Sequence, residues 1–114
     1  MKKNMNKKGP VNVRDVQPIN QLSGVYRKTL SYNDNVMLCY FTLETDSEIP
    51  LHDHKAHQIG YVTKGKIKFF TETREFIAEE GDSYVFDSYE KHGAKIIDHA
   101  EVVEVFSPTR DEYK

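Results

Sequence analysis

The chain has 114 residues, one cysteine and a formal net charge of −2, which leaves room for one domain with a single core and a short arm. The near-balanced charge argues against a nucleic-acid binder, the lone cysteine forbids an intrachain disulfide, and no apolar run approaches the roughly 20 residues of a membrane span. A basic start with no signal-length apolar stretch behind it, together with a single free thiol, predicts a soluble, cytoplasmic protein.

Residues 1–22 are polar, carry Pro10 and Pro18 and show no period. They are expected to form a flexible or edge-pairing N-terminal arm ahead of one β domain over 23–114. The arm holds the only basic cluster, Lys2, Lys3, Lys7, Lys8 and Arg14, which reads as a solvated face. A strand is predicted over 24–30, a turn over Ser31-Tyr32-Asn33-Asp34-Asn35, and a hairpin partner over 36–43. Cys39 lies inside the apolar run of that partner and is expected to be a buried, inert thiol. Next, 58–63 and 66–71 flank Lys64-Gly65, which reads as a hairpin connection with glycine at positive φ. A short run over 76–78 leads through Glu79-Glu80-Gly81-Asp82 to another over 84–86, and runs at 95–97 and 102–106 close the series. Many short strands separated by turns, with no good helix, predict a β-sandwich or barrel. No P-loop, dinucleotide fingerprint, Cys-x-x-Cys pair or nucleophile-elbow serine is present.

His52 and His54 are two residues apart, which on a strand points both imidazoles to one face and turns Asp53 away. Neutral imidazole is the commonest transition-metal ligand, and a catalytic ion needs a third donor. Gln58 offers an amide oxygen and His92 a third nitrogen, if the fold brings them together. A bare His-x-His is equally compatible with two surface histidines. His57 is out of phase with the pair and His99 sits beside Asp98, and both read as surface residues.

Read together, these spacings resemble a known family. Two histidines one residue apart, a Glu or Gln four residues on and a glycine seven further on make up the first cupin motif, and His52, His54, Gln58 and Gly65 match it. Gly81 and His92 match the ends of the second motif, while Asp87 and Tyr89 stand where a proline and a glycine are usual. The resemblance implies an all-β, single-domain cupin, a double-stranded β-helix or jelly-roll barrel. It also implies one divalent transition metal ion (Ni, Zn, Mn, Fe or Co) held by His52, His54, Gln58 and His92. Because Gln58 adds no charge, such an ion would keep its full positive charge and favour an anionic ligand.

In the run from Glu101 to Arg110, Glu104 shares a strand face with Val102 and Phe106. Alternation allows that face to be inward or outward. Inside a barrel the carboxylate would be costly unless paired or functional, and desolvation would suit it to proton transfer. Arg110, beyond Pro108, could clamp a carboxylate. A narrower resemblance is to the pectin-degradation cupins that linearise 4,5-unsaturated monouronates. It rests on residues 30–37, the His/His/Gln set and the tail Phe106-Ser107-Pro108-x-Arg110. It implies Glu104 as acid/base, in place of the family's Asp, Arg110 at the anionic end of a small acidic sugar, and Phe106 with Tyr61 as apolar walls. The expected activity is ring opening of unsaturated monouronates in polysaccharide breakdown. An iron-dependent cupin dioxygenase and a non-enzymatic sugar- or anion-binding module are the alternatives. Open barrel edges, with the 10–22 segment able to reach a partner, predict a homodimer.

Overall fold

A computed structural model of the chain describes residues 6–114. Lys2 and Lys3 of the basic arm lie outside the described residues. Eight strands follow one another: β1 (Ile19–Leu22), β2 (Val25–Tyr32), β3 (Met37–Leu43), β4 (Glu48–His52), β5 (His57–Thr71), β6 (Glu75–Glu79), β7 (Ser83–Phe86) and β8 (His92–Ser107). The only helices among the described residues are single 3-10 turns at Val13–Asp15 and Asp111–Tyr113. No helix is long and apolar enough to cross a membrane.

Alternation decides which side chains go inside. In β3, Met37, Cys39, Phe41 and Leu43 are buried while Leu38, Tyr40 and Thr42 are half-exposed. β8 repeats the pattern with Val102, Glu104 and Phe106 inward, as a period of two requires.

The two long strands organise the molecule. β5 and β8 pair antiparallel along almost their whole lengths, from His57↔Ser107 to Thr71↔His92. The first half of β5 and the second half of β8 sit in one layer, flanked by β7 on one side and by β3, β2 and β1 on the other. Their remaining halves form a second layer with β6 and β4. The core lies between the layers and includes Val25, Phe41, Val62, Ile67, Phe86, Ile96 and Val102.

This arrangement corrects one sequence expectation. Lys64-Gly65 is not a hairpin turn, since β5 runs straight through it. Register shifts at Val62/Lys64 and Lys64/Lys66 mark a bend where the strand passes from one layer to the other. Gly65 has φ +89°, and a Cβ there would lie 2.1 Å from the carbonyl oxygen of His99 and 2.6 Å from the Cα of Ala100. The glycine is required by close approach to β8 and by its positive φ. The expected runs at 95–97 and 102–106 are likewise one strand, and His99 lies within it rather than in a loop.

Candidate metal centre

The end of β4 faces the start of β8, with His52 opposite His92. His54 lies two residues past the end of β4, in the link to β5, and Gln58 points inward from the second position of β5. The ligating atoms of His52, His54 and His92 all lie within 4.8 Å of one another. The Oε1 of Gln58 is 3.0 Å from Nε2 of His54 and 3.2 Å from Nε2 of His92. The four residues expected from the sequence therefore do converge.

Backbone carbonyls fix the tautomers. Nδ1 of His52 is 2.8 Å from the Pro50 oxygen, Nδ1 of His54 is 2.8 Å from that of Ala56, and Nδ1 of His92 is 2.7 Å from that of Glu90. A neutral ring that donates through Nδ1 keeps a bare lone pair on Nε2. Burial holds His92 down to about 4 and, followed by the charge of Arg110, also lowers His54, so both rings are neutral near pH 7. Phe86 stacks on His92 with ring centroids 4.4 Å apart and planes 6° apart, which seats the ring against the core. The amide of Gln58 is fixed in the same way, because its Nε2 donates to Oε2 of Glu104 at 2.8 Å. Its Oε1 must then face the imidazoles. Acceptors converging with no proton between them repel one another unless a cation lies among them. The donor set, nitrogen-rich with one neutral oxygen, fits a divalent transition metal.

Glu104 is buried beside this set, which settles the face the alternation left open. Tyr84 Oη donates to its Oε2 at 2.5 Å. Both hydrogen bonds fall on Oε2, so Oε1 has no partner among the described residues. Desolvation raises the Glu104 pKa above the ordinary carboxylate value, opposed by the bonds from Tyr84 and Gln58 and the charge of Arg110. Neither Tyr84 nor Gly60 is expected from the sequence as part of the site. A Cβ at Gly60 would lie 2.3 Å from the Tyr84 hydroxyl oxygen, so this glycine makes room for the phenol. An isolated glycine in mid-strand was the available signal.

A cavity of about 310 Å³ opens between the layers, lined among others by His52, His92, Gln58, Glu104, Phe106 and Arg110. The Arg110 guanidinium lies 5.0 Å from the centre of the Phe106 ring and 4.0 Å from that of Tyr113, and its Nε is 3.1 Å from Oε2 of Glu112. Arg27 covers Tyr113 at 4.1 Å, and Gln21 Nε2 donates to the Tyr113 hydroxyl at 3.2 Å. The C-terminal turn is thereby tied to the barrel wall beside the cavity. Tyr61 is corrected. It stands on the outer face of β5, 48% exposed and away from the cavity, because it is an odd number of residues from inward Gln58. His57 is exposed and accepts from the Ser88 amide at 3.1 Å. His99 is 3.9 Å from a Glu101 carboxylate on the surface.

The family model described as Cupin domain matches residues 39–107. The chain belongs to the cupin family. Among solved cupins, KdgF from Halomonas sp. superposes with a TM-score of 0.86 at 24% identity, covering 91% of this chain and 96% of that one. An RmlC-like cupin from Shewanella frigidimarina gives 0.84 at 22% identity, covering 89% and 91%. One domain's worth of Bacillus subtilis oxalate decarboxylase, 28% of that chain against 84% of this one, gives 0.73 at 23% identity. At these identities the likeness shows a shared cupin fold. None of the curated proteins matches the chain.

Proposed function

We propose that this cupin is a metal-dependent enzyme that opens and isomerises unsaturated monouronates or a closely related acidic sugar. The observation that carries the reading is the position of Glu104. A buried carboxylate with one unengaged oxygen lines the same cavity as the three-histidine cluster and is tied to it through Gln58. The likeness to KdgF supports the same direction.

A divalent metal held by His52, His54, Gln58 and His92 would supply Lewis acidity to a sugar oxygen. The chain's own groups do the rest. Arg110, on the cavity wall, binds the sugar carboxylate. Phe106 closes the apolar side and excludes water. Glu104 carries a proton from hydroxyl to carbon as the enol becomes a ketone, an isomerisation that needs no oxidant or reductant. Tyr84 and Gln58 hold Oε2, which leaves Oε1 as the transferring atom.

The test is proton NMR of a 4,5-unsaturated galacturonate with metal-loaded protein and with Glu104→Gln. The wild type should speed loss of the cyclic form, and the variant should lose at least about a hundredfold, the usual contribution of a general acid–base group. Ring opening at the uncatalysed rate with fully metallated wild type would sink this function.

A further inference from the structure

The outer face of the site-bearing layer is apolar over four strands. Three registers define it: β7 to β5 at Ile59↔Val85, β5 to β8 at Ile59↔Val105, and β8 to β3 at Leu38↔Val105. One row across the sheet is therefore Val85, Ile59, Val105 and Leu38. The next row is Ser83, Tyr61, Val103 and Tyr40. Seven of these eight outward positions are apolar or aromatic and none is charged. Ile59 and Val85 are 53% and 52% exposed. The remaining exposed apolar residues, such as Leu51 on β4 and Ile77 on β6, lie outside these rows.

We propose that this face packs against the same face of a second copy of the chain. At the usual spacings the rows cover about 19 by 14 Å, an apolar centre that, with a polar rim, reaches the roughly 800 Å² per partner of a standard interface. Lys28 beside Tyr40, and Lys64 opposite Glu101, supply such a rim. A face without charge, on a chain of net charge −2, meets its own image with little repulsion, as an isologous two-fold contact requires. Exposed apolar patches of this extent on a monomer mark interaction sites. The face is also the reverse side of the site wall. Ile59 follows Gln58, Val85 follows Tyr84, and Val103 and Val105 bracket Glu104, so the second copy backs the strands that carry those groups. This contact uses a sheet face, whereas the edge strands and the 10–22 segment were the route expected from the sequence.

Sedimentation equilibrium of the metal-loaded chain tests the proposal. The wild type should show twice the 13.3 kDa chain mass, and Ile59→Glu/Val85→Glu should weaken association by at least about thirtyfold. Leu51→Glu and Ile77→Glu, equally exposed but outside the rows, should leave the mass unchanged. Circular dichroism confirms folding, and Tyr61→Lys, a single change at an already half-exposed side chain, provides the same readout if the double variant fails to fold. A wild type that stays at 13.3 kDa into the hundred-micromolar range, one that captures only a different protein, or folded variants that remain dimeric would overturn the proposal.

Discussion

Gln58→Glu keeps the length of the side chain and adds a charge at the centre of the site. The N–H that donates to Glu104 Oε2 becomes an oxygen, so a charge-assisted hydrogen bond worth about 1.5–3 kcal/mol is lost. Two full charges at that 2.8 Å separation repel by about 6 kcal/mol at an effective dielectric constant near 20. The pair therefore retains one proton instead of carrying both charges. The net cost to the metal-free protein is about 2–4 kcal/mol, a fall in Tm of about 10 °C or more for a domain of this size. A bound dication reverses the balance, because the new carboxylate faces it. Binding at a hundredfold excess over Kd returns about 2.7 kcal/mol, and more if Kd falls. Thermal melts in EDTA and in saturating zinc, with calorimetric titration of the metal, separate the two states. The variant should melt well below wild type in EDTA and approach or pass it in zinc. An equal gap in both conditions, or none in EDTA, would mean that the amide neither holds Glu104 nor faces an ion.

Other consequences are more local. His92→Ala removes a ligand and the ring stacked on Phe86, so elemental analysis should find metal well below one equivalent and urea unfolding should show a loss of about 2–4 kcal/mol. Gly65→Ala places a methyl group against the His99 carbonyl at positive φ and should cost at least about 2 kcal/mol in the same assay, with unchanged metal stoichiometry if folding is retained. Cys39 is fully buried and its thiol is pushed up to about 11 by desolvation. Iodoacetamide at pH 8 should therefore leave it unlabelled in native protein and modify it fully in denaturant, read by mass spectrometry.

The strands were largely legible because period-two alternation is strong in runs such as Met37–Leu43. The expected hairpin at Lys64-Gly65 failed for a physical reason. A glycine at positive φ serves a tight turn and a bend beneath a distant strand equally well, and only the partner, here Ala100, separates the two. The metal set was legible from spacing, although His54 lies beyond the strand end and reaches its place through the loop. The face of Glu104 was not, because valines occupy both sides of β8, with Val102 in the core and Val103 and Val105 on the outer face. The misplacement of Tyr61 was avoidable. Once Gln58 points inward, parity sends Tyr61 outward. Tyr84 was hidden because its role depends on a space left by Gly60 on a strand remote in sequence.

The sharing of β5 and β8 by both layers has a kinetic consequence. β3, β4 and β5 all take β8 as a neighbour, so neither layer is complete until the last strand arrives. The local hairpins β2–β3 and β5–β6 can form early, but they then wait with unpaired edges facing solvent. Such non-local topology folds in the millisecond-to-second range and is open to aggregation during the wait. Refolding should therefore be slow and concentration-sensitive. Because β8 supplies both His92 and Glu104, the binding site should appear in the same kinetic phase as the barrel itself.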